Sequence, residues 1–397
     1  MKYSSIPTAV LLAFSSTWSF VQAQRPPVDV TNTLRIEYDD NVLTTGAGST
    51  TGKVDSFKVV NALEFLVDTR QDANYLGVRY APSFVWFEDR PGDSTDINHV
   101  LDLIASRQVS PTTFVQFRNN FRYAQEPELM DNDVTLRRRN DYYFNAASAS
   151  YQRQLIPDRT TLRLDGRYVL LRYDDSDVAD FSDYDQFVLG SELLYRVAPN
   201  TDAGGQIRYQ SIQYENDLRD ADSVQIGLVI NRIFNPKWHG DFRAGIDFRD
   251  ADNALEQSSE SPYVEGSFVF LPIERTRINV GAGYSKDLSP INRFAQQTRT
   301  RVFGRVTHPL TAATLLSLDA TYALGTFDLD DSTSAFDPDL HQDGDETAIQ
   351  FALRLNHRLN VRNSIEAVLQ YTDLDSDVRP NEDFDRTRVS LGWKYSL

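Results

Sequence analysis

The chain of 397 residues contains no cysteine, which excludes disulfides, thiolate metal sites and thiol nucleophiles together. It also lacks a long apolar run. No segment after residue 23 approaches the ~18 consecutive apolar residues that a membrane-spanning helix needs. Lysine is scarce: Lys2, Lys53, Lys58, Lys237, Lys286 and Lys394 are the only ones among 40 basic residues. The positive charge is therefore almost all arginine, whose planar fork grips carboxylates and phosphates at two points. The five histidines, His99, His239, His308, His341 and His357, lie far apart without metal-ligand spacing, and no Ser or Asp beside them completes a nucleophile arrangement. No catalytic or metal-binding residue is assigned, no cofactor is expected, and an enzyme is not expected. A net charge of −17 argues against nucleic acid as a partner, because its phosphates would be repelled.

What the chain does have is alternation. Its end reads Thr387-Arg-Val389-Ser-Leu391-Gly-Trp393-Lys-Tyr395-Ser-Leu397, a strand with one apolar and one polar face. A mean hydropathy of −0.44 is compatible with a membrane barrel, whose strands need apolar side chains only toward lipid. The N-terminus supplies a compartment. Lys2 begins a short basic region, Ala9–Phe14 opens an apolar core, and Val21-Gln-Ala23 is a small-residue cleavage site. We expect residues 1–23 to be a signal peptide and 24–397 to form a single β-barrel domain in the outer membrane of a Gram-negative envelope.

Short turns recur at 69–72, 109–111, 156–158, 198–200, 234–236, 271–273, 308–310 and 360–363, each with turn chemistry between two alternating runs. Longer polar segments fall between them, near 41–55, 88–97, 126–138, 174–184, 215–222, 250–261, 286–296, 327–346 and 373–385. Long and short connections alternate strictly. Eight turns and nine loops imply an all-β, antiparallel transmembrane barrel of about 18 strands, with short periplasmic turns and long acidic external loops. A β-sandwich or a propeller with a forty-residue period is the competing reading. It is disfavoured because no motif recurs from unit to unit and the strands, at roughly 10 to 14 residues, exceed the ~5 to 6 of soluble sheets.

The apolar face holds sets such as Leu76, Val78, Tyr80, Phe84 and Trp86, or Trp238, Phe242, Ala244, Ile246 and Phe248. Tyr38, Trp86, Tyr123, Trp238, Phe248, Tyr284, Tyr322 and Tyr371 sit toward strand ends, where an interfacial girdle belongs. Parity places Arg118, Arg122, Arg163, Arg167, Arg208, Arg243, Arg277, Arg299, Arg301, Arg305, Arg354 and Arg388 on the opposite face as candidate substrate contacts, together with Arg249, Arg358 and Arg386. Glu37, Glu64, Asp165, Glu192, Asp241, Asp247, Asp319 and Glu366 share it. So charged a face must line water, since unpaired buried charges cost several kcal/mol each. A bore of ~16 to 18 strands leaves room for an aqueous channel. The arginines then either conduct an anionic or sugar-rich solute or form salt bridges that stiffen the wall. Arg277, Arg299, Arg301 and Arg305 are expected to have no acidic residue of their parity among them. Gly190, Gly227, Gly281, Gly283 and Gly392 on this face are expected to widen the bore. The acidic loops at 174–183 and 328–346 offer oxygen ligands to divalent cations, but without the pattern of an EF-hand, and are expected to be solvated.

The opening strand, Leu34-Arg-Ile-Glu-Tyr38-Asp-Asp40-Asn41-Val42, resembles the start of the putative β-barrel porin 2 family, where an amphipathic strand runs into an Asp-Asn pair before the first long loop. The resemblance implies an outer-membrane barrel associated with exopolysaccharide export, and the arginine-rich face looks like the lining of polysaccharide-exporting barrels. It implies no catalytic residues. The expected partners are outer-membrane lipid, the barrel assembly machinery and a periplasmic polysaccharide-export protein that supplies the polymer. Trp393, Tyr395 and Leu397 are the expected assembly signal, although the chain ends in Leu397 where many barrels end in Phe. Two alternatives stay open: a general diffusion or nutrient-uptake porin, and a surface barrel with a structural or adhesive role.

Overall fold

The computed structural model describes residues 28–46, 52–125, 128–131, 134–137, 140–176, 179, 182–215, 220–250, 258–288, 296–327, 343–378 and 383–397. The segment 1–23 expected to be a signal peptide and most of the loop at 328–346 lie outside them. In chain order the strands are β1 (Val28–Asp39), β2 (Ser56–Gln71), β3 (Asn74–Phe87), β4 (Thr95–Ser110), β5 (Thr113–Ala124), β6 (Glu128–Asp131), β7 (Val134–Arg137), β8 (Tyr142–Ile156), β9 (Thr160–Tyr173) and β10 (Tyr184–Ala198). They continue with β11 (Thr201–Tyr214), β12 (Ala221–Asn235), β13 (Trp238–Asp250), β14 (Ser259–Phe270), β15 (Arg277–Leu288), β16 (Gln296–Pro309), β17 (Thr314–Phe327), β18 (Gly344–Arg358), β19 (Asn363–Ser376) and β20 (Phe384–Ser396). Apart from the small β6–β7 hairpin, these strands form one 18-stranded antiparallel sheet. β1 pairs with β20 from Thr31↔Ser396 to Asp39↔Arg388, which closes the barrel and leaves no free edge.

Every turn and loop expected from the sequence separates two barrel strands, so the strand count of 18 holds. The turns work through local chemistry. Asp72 (φ 49°) and Asp158 (φ 57°) take left-handed conformations that Asp tolerates better than most residues. Register shifts at Gln108/Ser110, Gln154/Ile156, Arg196/Ala198 and Ile233/Asn235 put bulges beside four short turns, a common device at barrel rims. A strand of 14 residues, rising ~3.3 Å per residue at ~45° tilt, climbs about 33 Å, more than the ~25 Å apolar band of such barrels.

Burial follows parity. Leu193 is 51% exposed on the outside while its neighbour Leu194, pointing inward, is 2% exposed. Outward rings line up across five strands near the long-loop rim: Phe65, Tyr80, His99, Tyr123 and Tyr143 follow one another at centroid distances of 6.3, 6.1, 6.0 and 4.9 Å. Of this row only Tyr123 belongs to the girdle expected from the sequence; the other four rings, a histidine among them, do not.

The inner face departs from expectation in one respect: it is not wet throughout. Near the long-loop rim Ala323, Ala348, Leu374 and Phe384 form an inward cluster that is fully buried. Val42 and Leu43 of the first long connection pack on Phe87, and Ala179 of the fourth packs against Tyr142, Leu171 and Tyr173. The loops carry their own apolar residues and fold back onto the wall, so water is excluded where they land.

Candidate functional site

The third long connection carries the β6–β7 hairpin, and β7 comes within a Cα separation of 8 Å of β18 and β19. It leaves the wall at β5 and returns at β8 but reaches the far wall, so it crosses the mouth of the bore. Sequence alone did not reveal which loop does this. On the wall it reaches, Ala348 of β18 and Leu374 of β19 belong to the dry inward cluster.

Below the rim several carboxylates are shared between cations. Arg79 Nε lies 2.6 Å from Glu64 Oε2 and its Nη1 lies 2.9 Å from Asp102 Oδ2. Arg35 and Arg354 each stand 3.6 Å from Glu366, and Lys394 stands 3.9 Å from Glu64. Farther round, Arg163 and Arg243 flank Glu192 at 3.4 and 3.3 Å. These contacts fit the stiffening role. Arg79 and Asp102 were not singled out in the sequence, although the parity that turns Tyr80 outward also turns Arg79 inward.

Four arginines stand outside these pairs, on a stretch of wall that also carries Asp165 on β9 and Glu192 on β10. Arg118 on β5 faces Ser148 on β8, which faces Arg167 on β9, so two arginines stand two strands apart with a small hydroxyl between them. Arg122 lies two repeats of the pleat farther along β5, its Nε donating to Asn120 Oδ1 at 3.0 Å. Arg208 on β11 faces Gly190 on β10. Arg118, Arg122 and Arg167 are exposed to the lumen and Arg208 half-exposed. None of the four has a carboxylate partner among the described residues.

The cluster expected to be unneutralised is not. Arg305 pairs with Asp319, which lies directly opposite it in register, and Arg299 Nη1 is 3.9 Å from Asp287 Oδ2. Arg301 lies over the ring of the inward-facing Phe303 at 5.0 Å. Arg277 is exposed at the short-turn mouth. Arg388 also departs from expectation, being buried at the dry rim rather than water-lining. Beside it Asp39 is bound by Arg386 at 2.9 and 2.5 Å and by Lys58 at 2.5 Å, and Lys58 also reaches Glu37 at 3.0 Å. These charges tolerate a dry site because they are paired. Arg249 and Asp247, 3.5 Å apart, are another buried pair. Arg358 lies exposed near a short turn.

Three of the five inward glycines do not widen the bore either, whereas at Gly283 and Gly392 a Cβ would meet nothing nearer than 3.7 Å. Gly281 makes room for the Phe303 ring, Gly190 for the Asp165 carboxylate, and Gly227 for the Tyr263 hydroxyl, to which Gln206 donates at 2.6 Å. A neighbouring side chain fills each space. At the chain end Trp393 faces outward and its Nε1 donates to Asn363 Oδ1 at 3.0 Å. Tyr395 lies next to it, and the Leu397 backbone N–H donates to Val30 at 2.9 Å, so the last residue is tied into the closing seam.

Among the described residues no three His, Cys, Asp or Glu side chains are grouped to hold a metal ion. Asp183, in the fourth long connection, has its carboxyl pushed above the usual range by burial, against the Tyr173 backbone N–H that donates to it at 2.8 Å.

Two solved structures share the architecture. A BenF-like porin from Pseudomonas fluorescens Pf-5 is 14% identical with a TM-score of 0.52, the match covering 93% of this chain and 99% of that one. The outer membrane protein opdK from Pseudomonas aeruginosa is also 14% identical, with a TM-score of 0.51 and coverage of 94% and 99%. No curated protein matches the sequence. With the barrel closed, its outer band apolar and its lumen charged, the match over residues 31–396 to the family described as putative beta-barrel porin 2 completes the assignment: the chain belongs to that family and is a porin-like barrel of the outer membrane.

Proposed function

We propose that the barrel is a diffusion channel for small anionic solutes, with the long loops outside the cell, the short turns in the periplasm and residues 1–23 removed on export. The observation that carries this reading is that Arg118, Arg122, Arg167 and Arg208 face the lumen without a salt bridge among the described residues. A carboxylate ~5 Å from a guanidinium gains about 0.8 kcal/mol at the dielectric of bulk water and about 3 kcal/mol at an effective dielectric of 20. Contacts of that strength favour entry without trapping the solute, as conduction requires. The expected export of an exopolysaccharide becomes the second reading. The hairpin across the mouth favours a small solute over a threaded polymer, whereas the charge difference between the two mouths, described below, favours outward passage of an acidic chain. No observation favours a purely structural or adhesive barrel.

The test is the reversal potential of single channels in a KCl gradient. Wild type should prefer chloride, and the variant Arg118→Gln/Arg167→Gln/Arg208→Gln should lose most of that preference while remaining heat-modifiable on gels. Unchanged selectivity in the variant would refute the reading. Flux of acidic oligosaccharides through reconstituted vesicles separates the second reading from the first.

A further inference from the structure

The two mouths carry opposite charge. Within the eight short connections and four residues to either side stand 12 Arg and Lys against 7 Asp and Glu. Applied to the nine long connections, the same window gives 9 against 28 among the described residues outside β6 and β7. An anion approaching the long-loop mouth is repelled, and one approaching the short-turn mouth is drawn in.

The short-turn mouth also has a recess. Residues 271–276, which join β14 to β15, form the longest of the short connections. Together with Lys237 and Arg277 they line an open recess of about 320 Å³. The segment is pinned at both ends. Leu271 N–H donates to the Lys237 carbonyl at 2.8 Å, and buried Thr276 shares a hydrogen bond with His308 Nδ1 at 2.8 Å. Lys237 Nζ donates to the Pro272 carbonyl at 3.1 Å, which holds the ammonium at the recess edge. Arg275 sits at φ 66°, a left-handed conformation that a residue with a Cβ rarely keeps. Three cations thus line a recess with one carboxylate, Glu274.

We propose that Lys237, Arg275 and Arg277 form an anion-capture site at the short-turn mouth, so that carboxylate-bearing solutes enter the channel faster from that side than from the long-loop side. The site rests on the reading of the lumen as an anion path and adds a direction to it. Capture alters entry rates and leaves the equilibrium distribution set by the solute gradient. Its consequence is that the barrel suits release of an acidic solute from the periplasm better than scavenging from outside.

The probe is trigalacturonate, whose transient blocks of KCl current report entry from each side. Because the chain has no cysteine, Pro91→Cys in the second long connection gives a unique handle for fixing channel orientation with a one-sided thiol reagent. Entry from the short-turn side should be about tenfold faster in wild type. Lys237→Gln/Arg275→Asn should lower that rate about fivefold, with entry from the long-loop side unaltered; Asn is chosen because it accepts the left-handed backbone. Glu274→Gln should instead raise short-side entry, so the proposal stays testable if the double variant fails to assemble. Symmetric entry in wild type, or short-side rates insensitive to both changes, would overturn the capture site. If chloride selectivity were intact in that case, the anion path would stand without it, whereas a wild-type channel without anion preference would remove both.

Discussion

Asp39 is fully buried at the seam where β20, β1 and β2 meet, and it accepts from Arg386, itself 1% exposed, and from Lys58. Asp39→Ala removes the carboxylate and leaves two buried cations behind. Breaking a buried pair by deleting one partner costs ~3 to 5 kcal/mol, mostly through the charge left uncompensated. Lys58 keeps Glu37 at 3.0 Å, while Arg386 loses both of the bonds it makes to Asp39. It follows that Asp39→Ala/Arg386→Met should recover most of the loss, because the remaining cation is still paired. A control at the same distance isolates burial: Lys53 and Asp385 are also 2.5 Å apart, but their side chains are 34% and 50% exposed. Removing that pair should cost ~0 to 1 kcal/mol. Urea unfolding of the barrel reconstituted in vesicles measures all three variants. A cost for Asp39→Ala below ~1 kcal/mol, or a double variant no better than the single, would refute the account of the seam as a paired network in a dry site.

Two further predictions concern the lipid face. Ile246→Arg puts a guanidinium at an outward position that is 47% exposed and should cost ~2 to 4 kcal/mol if near the midplane, visible as lost heat-modifiability; a fully assembled variant of wild-type stability would sink the assignment of faces. Asn119 donates to Asn145 at 2.9 Å on the same outer surface. Asn119→Leu should cost about 1 to 2 kcal/mol in vesicles by leaving the Asn145 amide unpartnered, and Asn119→Leu/Asn145→Leu should restore wild-type stability.

The barrel was legible because its signals are local. Turn residues such as Pro157-Asp158 and Pro199-Asn200 cut the chain into strands, and a period of two fixes which side chains share a face, so Arg118, Arg167 and Arg208 fall on the face opposite the exposed rings of Phe117, Tyr168 and Tyr209. Cross-strand register was not legible. Whether Arg305 meets Asp319 depends on the geometry of residues 310–313, and a slip of one residue would have turned the partner away. Nor could the landing places of loops be read. Val42 and Leu43 look like loop residues until Phe87 is seen beneath them. Arg388 and Arg386 look like channel residues until the seam around Asp39 is found dry. Those errors have one source: pattern gives the face of a strand but not what lies against that face.

Why arginines such as Arg118 and Arg167 go unpaired can be asked of a single position. Ser148 stands one strand from both Arg118 and Arg167, and neighbouring strands lie ~4.8 Å apart, so the two arginines are separated by about 10 Å at the backbone. At that distance their repulsion is about 0.4 kcal/mol in water and is further screened by salt. The two arginines are thus nearly free of strain, and stability gives no reason to neutralise them. Their field is another matter, because an acidic side chain at 148 would lie beside both cations and extinguish most of it. Ser148→Asp should therefore fold at least as well as wild type, gaining ~0.2 to 1 kcal/mol for each opposite-charge pair across the strands. It should also abolish chloride preference without removing any arginine. Reversal potentials and urea midpoints measured on the same preparation decide the matter. If Ser148→Asp raised stability but left anion selectivity unchanged, the arginines would be paired with the new carboxylate and yet irrelevant to permeation, and the selectivity would have to be sought at the mouths instead.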